Sequence, residues 1–274
     1  MMMKLPRTYL FVPGDRPERF SKALASGADA IVIDLEDAVA PAAKDAARAT
    51  VAAWLGTEPE RGRVVVRIND EAAPGFAADL AMLAATRAAV VMLPKAERAE
   101  TVARLRAACP GIAVLPLVES ARGMLGAQAL AAAPGVQRLV FGTIDYALDL
   151  DLGNDPSVLD PGHAHLALVS RAAGIATPVA GVSTALDDEA ALRADLARAR
   201  GHGFGAKLCI HPKQVAAIHR ALAPSEAELV WARRVLQAAD APNAAGLGAV
   251  QLDGRMIDKP VIERARRLVE RAAQ

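Results

Sequence analysis

Short apolar runs, each ending abruptly in polar or charged residues, recur along the chain with helical segments between them. Thr8–Gly14 is the first, closed by a Pro-Gly turn, and Ala30–Asp37 is the second, apolar and then abruptly acidic. Arg63–Asp70, Ala89–Pro94, Leu115–Glu119, Leu139–Tyr146, Thr177–Val182 and Gly205–Pro212 continue the series. Runs of this length bounded by turn residues predict β-strands. The intervening patterns predict helices over Pro17–Ser26, Ala42–Leu55, Gly75–Thr86, Ala99–Ala108, Ala164–Ala173 and Asp188–Arg200, with a polar loop at Asp149–Pro161. An alternating βα series makes a parallel sheet, and eight units predict a closed (β/α)8 TIM barrel of the α/β class over residues 1–222. A helix from Ser225 to Ala239, opened by a Ser225/Glu228 capping box, follows the barrel. A flexible loop at Ala241–Gly248, a hairpin at Val250–Asp258 with an Asp-Gly turn and a last helix from Pro260 complete the chain. This extension, 223–274, is surplus to a barrel, so it packs under it or reaches a neighbouring subunit.

The length of 274 residues suits one such barrel, which typically takes ~250. Hydrophobic residues make up 53% but aromatics only 3%, so the core is Val, Ile, Leu and Ala, as strands buried on both faces prefer. A formal charge of +1 gives no electrostatic case for a nucleic-acid or membrane partner. Cys109 and Cys209 lack metal-type spacing and read as reduced, buried thiols of a cytoplasmic protein. No signal-type segment or membrane-length apolar run is present, and no glycine fingerprint, Walker loop or serine elbow.

The candidate chemistry sits at the strand ends, where α/β barrels keep their active sites. Glu119 and Asp145 close the fifth and sixth strands; as parallel neighbours they would emerge side by side, two hard oxygen ligands suited to Mg2+. Asp34, Glu36 and Asp37 repel one another unless something compensates; they form either a solvated rim or a shell holding metal-bound water. Arg67 stands in an apolar strand and needs an anion: Glu36, Asp37, or a substrate carboxylate or enolate oxygen. Arg16 and Lys95, after the first and fourth strands, add positive charge to the rim or stay solvated. His211 is a rim position that would contact ligand, whereas His163 and His165 read as surface residues.

Taken together, Tyr9–Gly14, Asp34–Val39, Val66–Asn69, Leu117–Ser120, Phe141–Asp145 and Ile210–Pro212 resemble the citrate lyase β-subunit-like proteins of the HpcH/HpaI aldolase superfamily, alongside malyl-CoA and citramalyl-CoA lyases. The likeness spans essentially the whole chain, with no departure at the motif positions. It implies a Mg2+-dependent carbon–carbon lyase, a homotrimer or dimer of trimers, that interconverts a hydroxyacyl-CoA with an acyl-CoA and a 2-oxo acid. By the same resemblance Glu119 and Asp145 would hold the metal, Arg67 would contact substrate, and Glu36 and Asp37 would hold metal-bound water. Met256–Pro260 looks like a C-terminal motif whose Asp258 would act as acid/base in a neighbouring subunit's site. A CoA-independent pyruvate aldolase, and a β subunit active only within a citrate lyase complex, are the alternatives.

Overall fold

The computed structural model describes residues 5–58, 60–86, 88–240 and 249–272. These fall into two compact units, Leu5–His219 and the chain from Arg220 onward. The first is a closed barrel of eight parallel strands: β1 (Thr8–Pro13), β2 (Ala30–Asp34), β3 (Val64–Arg67), β4 (Val90–Leu93), β5 (Ala113–Val118), β6 (Val140–Phe141), β7 (Val179–Ala180) and β8 (Ala206–Cys209). Each strand pairs with the next, and β8 returns to β1 through Tyr9↔Leu208. Helices α1 (Phe20–Leu24), α2 (Lys44–Thr57), α3 (Phe76–Thr86), α4 (Ala99–Ala108), α5 (Ala121–Ala132), α6 (Thr143–Asp149), α7 (Asp160–Ala172), α8 (Glu189–Gly201) and α9 (Pro212–Leu222) complete the series. The TIM barrel expected from the alternating pattern is the fold observed.

Side-chain alternation along the strands decides what fills the barrel. Val32, Val65, Met92, Leu115, Leu117 and Leu208 point inward and form its core. The same parity carried to the C-terminal ends reaches Asp34 on β2, Arg67 on β3 and Glu119 just after β5. The layer above the apolar core is therefore charged. The opposite mouth is closed by Arg138, buried there and donating to the carbonyls of Pro6 and Thr177.

Three segments differ from the pattern reading. The sixth strand ends at Phe141, and α6 begins at Thr143, so Asp145 lies in the first turn of a helix rather than at a strand end. The Asp149–Pro161 stretch is not all loop: a 3-10 turn covers Pro156–Leu159 and α7 starts at Asp160. Its prolines are helix-starting residues, and the Asp155 carboxylate accepts from Ser157 N at 2.7 Å. The first helix is split, 3-10 over Pro17–Arg19 and α only from Phe20.

The second unit holds α10 (Glu226–Ala239), strands β9 (Ala249–Leu252) and β10 (Arg255–Asp258), and α11 (Lys259–Ala272). The Ser225/Glu228 capping box is present. Asp253 and Gly254 both take positive φ, 50° and 74°, as a tight two-residue hairpin turn requires. Ala232, Val235, Ile257, Ala265 and Leu268 form this unit's own core. The loop expected at Ala241–Gly248 lies outside the described residues. Among the described residues no helix is long and apolar enough to cross a membrane.

Candidate active site

Register places the first element of the site. Asp34 on β2 is the direct neighbour of Arg67 on β3, and both project inward above the core. The Arg67 guanidinium takes Asp34 in a two-pronged grip, Nε to Oδ1 at 2.7 Å and Nη2 to Oδ2 at 2.6 Å. Planar bidentate pairing fixes the guanidinium in orientation as well as position. Phe11 lies under it, 4.9 Å from the ring centroid. Nη1, the remaining arm, lies 3.0 Å from Glu36 Oε2 and 3.5 Å from Asp37 Oδ2. Burial works against the charge on Arg67, but the hydrogen bonds to Asp34 and the carboxylates of Asp34, Glu36 and Asp37 overcome it and raise its pKa. The sequence offered Glu36 or Asp37 as its structural partner; the principal partner is Asp34, in direct register.

Asp34 also shapes the acidic turn after β2, accepting from Glu36 N at 2.9 Å and Ala38 N at 3.0 Å. From the first turn of α2, Lys44 Nζ donates to the carbonyls of Leu35 and Glu36, both at 2.8 Å. Glu36 is thereby held buried while Asp37 stays exposed. Burial pushes the Glu36 carboxyl up, with Arg67 and Lys95 pulling the other way. Its Oε2 is buried and, despite the short ion-pair distance to Arg67, has no well-aligned hydrogen bond.

Glu119 is buried at 4% exposure immediately after β5. Its Oε1 accepts from Lys95 N at 2.7 Å. Its Oε2 lies over Gly142, where any Cβ would overlap it. Gly142 is the N-cap of α6, whose first turn carries Asp145. Burial pushes Glu119 up to about 8, and the nearby charges of Glu36 and Asp145 push the same way. Lys95 Nζ donates to Glu36 Oε1 at 2.9 Å and stands 3.9 Å from Asp70.

The structure therefore brings Glu36, Asp37, Arg67, Lys95, Glu119 and Asp145 to one rim. Asp34, named with Glu36 and Asp37 from the sequence, stands with them, and Asp70 joins. Arg16 is exposed in the turn after β1, 3.7 Å from Asp15. His211 is half-buried between β8 and α9, its Nδ1 accepting from Lys213 N at 3.1 Å. Asp258 belongs to the second unit, where its carboxylate accepts from Val261 N at 3.3 Å and caps α11. His163, expected at the surface, is buried: it stacks on His202 at 5.8 Å and meets Phe141 and Phe204 edge-on. Burial pushes its pKa down. His165, as expected, is exposed.

Two features of the rim fit a divalent cation. A buried carboxylate pushed up to about 8 by its surroundings lacks the positive charge that would make its ionisation favourable. The donors are also of the right kind, hard carboxylate oxygens. Among the described residues no set of three or more His, Cys, Asp or Glu side chains forms a complete metal cage. Two carboxylates beside Glu36 Oε2, a buried acceptor that Arg67 approaches without a well-aligned hydrogen bond, instead suit an ion that keeps several of its waters, as Mg2+ does. A separate cavity of about 440 Å³, lined by Leu83, Cys109 and Ile112 among others, includes none of these groups.

The same chain pattern occurs in known proteins. Residues 7–212 match the family model described as HpcH/HpaI aldolase/citrate lyase. A citrate lyase subunit beta-like protein of Mycobacterium tuberculosis is 37% identical over 273 residues, 97% of this chain and 95% of that protein. A (3S)-malyl-CoA thioesterase of Cereibacter sphaeroides is 34% identical over 97% of this chain and 94% of its own. The crystal structure of the Mycobacterium tuberculosis protein CitE, in complex with magnesium, acetoacetate and coenzyme A, superposes with a TM-score of 0.86 at 36% identity, covering 98% of both chains. A second CitE structure, with magnesium and pyruvate, gives a TM-score of 0.77 at 31% identity over 96% of this chain and 97% of that one. With the family model spanning the barrel and relatives matching nearly end to end, the chain belongs to the HpcH/HpaI aldolase/citrate lyase family of lyases.

Proposed function

We propose that this protein is a Mg2+-dependent carbon–carbon lyase acting on a 3-hydroxyacyl-CoA such as malyl-, citramalyl- or citryl-CoA. It releases an acyl-CoA and a 2-oxo acid, or joins them. The observation that carries the reading is Glu119, just after β5, beside Asp145 in the first turn of α6, next to an Arg67 already locked in orientation. Its support from relatives is that CitE binds magnesium with pyruvate, and magnesium with acetoacetate and coenzyme A.

Glu119 and Asp145 hold Mg2+, which supplies Lewis-acid polarisation and a template for the oxo-acid half. Arg67 offers Nη1, the arm not engaged by Asp34, to the thioester oxygen on which enolate charge develops. A donor fixed before the reaction needs no reorganisation as charge appears, and removing one such donor elsewhere costs about 3–4 kcal/mol. Glu36 and Asp37 orient water at the rim through acceptor oxygens that Arg67 does not fully satisfy. Arg16 and His211 line the approach for the anionic substrate, and Lys95 adds its charge to the rim through Glu36. Asp258 moves the proton at the carbon that becomes the acyl-CoA methyl group. It does so from a neighbouring subunit of a homotrimer or dimer of trimers, which gives the second unit its purpose.

Purified protein is mixed with each thioester and Mg2+, following oxo-acid and free-thiol release, with chelator and with Glu119→Ala and Asp258→Ala. Chelator-sensitive oxo-acid release from one thioester, lost in both variants, is the expected result. Free thiol without oxo acid would make the protein a hydrolase, the reading favoured by its 34% likeness to a malyl-CoA thioesterase. Cleavage of free hydroxy-oxo acids alone would make it a pyruvate aldolase. Silence on all substrates would point to a β subunit that needs citrate lyase partners.

A further inference from the structure

Lys95 follows β4 with φ 46°, in the left-handed region that disfavours any residue carrying a Cβ. Neighbouring groups hold it there. Ala96 N donates to Leu117 O at 3.0 Å, and Ser120 Oγ donates to Glu97 Oε1 at 2.7 Å. On α5, Gly123 and Gly126 let this loop lie directly against the helix, since a Cβ at either would overlap the carbonyl oxygen of Ala96 or Glu97. A strained non-glycine residue held in place by its surroundings marks a position where the conformation itself is used. Both polar ends of Lys95 are engaged. Its main-chain N–H donates to Glu119 Oε1 at 2.7 Å and its ammonium donates to Glu36 Oε1 at 2.9 Å.

The geometry points to Lys95 as a positioning residue with two separable parts. The main-chain N–H, aimed by the left-handed conformation, occupies Glu119 Oε1 and leaves Oε2, over Gly142, for the metal ion. The ammonium occupies Glu36 Oε1 and leaves to water Oε2, which Arg67 Nη1 approaches at 3.0 Å without an aligned hydrogen bond. This rests on the two-carboxylate metal reading above and differs from a role in binding substrate.

Mg2+ and Mn2+ are titrated calorimetrically into the wild-type full chain and into Lys95→Gly, Lys95→Met and Lys95→Val, each first checked for cooperative melting. Glycine accepts the conformation and keeps the N–H; methionine loses only the charge. Both bind metal no more weakly than wild type, because a cation beside the site has been removed. Valine resists positive φ and turns the N–H away, so its affinity falls by roughly 10-fold or more, as when partners outside the ligand set are lost. Wild-type affinity in Lys95→Val, or equal weakening in Lys95→Gly and Lys95→Val, overturns the main-chain part. For the ammonium, Lys95→Met lowers kcat with KM for the thioester unchanged; a raised KM at full kcat overturns that part. If wild type turns over no thioester yet the metal order holds, the substrate assignment fails and the positioning stands. A wild type that binds neither ion overturns both.

Discussion

Replacing Asp34 by Asn tests whether the rim is organised from β2. Asp34 is 1% exposed and Arg67 8%, so the pair is fully inside the protein. Removing one partner of a buried ion pair costs about 3–5 kcal/mol, since the other charge stays behind uncompensated. Here Glu36 remains 3.0 Å from Arg67, which favours the low end. Against that, Asp34 also accepts from Glu36 N and Ala38 N, and hydrogen bonds to a charged group contribute about 1.5–3 kcal/mol each. Asn keeps one acceptor, so the net expectation is about 3 kcal/mol of lost stability. The natural control is Asp253→Asn, whose partner Arg234 is half-exposed, for a loss of less than about 1 kcal/mol. Urea unfolding is read from Trp54, which packs edge-on against Phe20 in the barrel, in a Trp231→Phe background. An Asp34→Asn midpoint no lower than that of the control would refute the reasoning.

Two further outcomes follow from the Glu119 environment. In metal-free protein its carboxyl is raised from 4.5 to about 8, so its contribution to stability is intact below 4.5 and lost as pH rises through 8. Chelated wild type should unfold at lower urea at pH 8.5 than at pH 6, by up to about 1.4 kcal/mol per pH unit; a Glu119→Gln protein with the same slope would sink this. Gly142→Ala sets a Cβ against the Glu119 carboxylate, so Mg2+ affinity measured by calorimetry should fall about 10-fold or more, and unchanged affinity would count against the assigned ligand.

How much of this was legible depended on whether the signal was local. Inward parity on β2, β3 and β5 is readable from the chain: Val32–Asp34, Val65–Arg67 and Leu117–Glu119 each pass from apolar to charged in one step of two. The closed barrel followed from the same pattern. The Asp34–Arg67 pair was not read, because it depends on the register between strands that lie more than thirty positions apart. Asp145 was placed on a strand because Leu139–Phe141 is apolar enough to suggest a long one, although Gly142 ends it after two paired residues. His163 looked like a loop residue among Asp, Gly and Pro. Its burial comes from Phe141 and Phe204, residues remote in sequence that meet it only after the barrel has closed. Lys207 likewise sits in an apolar run, and only the fold reveals that its ammonium reaches Gly181 O and Asp195, each at 2.7 Å.

The charge balance of the rim imposes an order on binding. Above pH 8, where Glu119 has lost its proton, Asp34, Glu36, Asp37, Asp70, Glu119 and Asp145 crowd around Arg67 and Lys95, with Lys44 capping carbonyls behind them. Acid side chains outnumber bases, and a 2-oxo acid brings one more negative charge. Two like charges about 4 Å apart near a protein surface repel by about 4 kcal/mol, so without a divalent cation the oxo acid should bind more than about 100-fold more weakly. Pyruvate titrated calorimetrically at pH 8.5 in chelator should therefore give no binding heat at concentrations that saturate the Mg2+-loaded protein. Equal affinity with and without the ion would mean that Arg67 and Lys95 alone satisfy the substrate carboxylate, and the charge argument for a metal between Glu119 and Asp145 would fall with it.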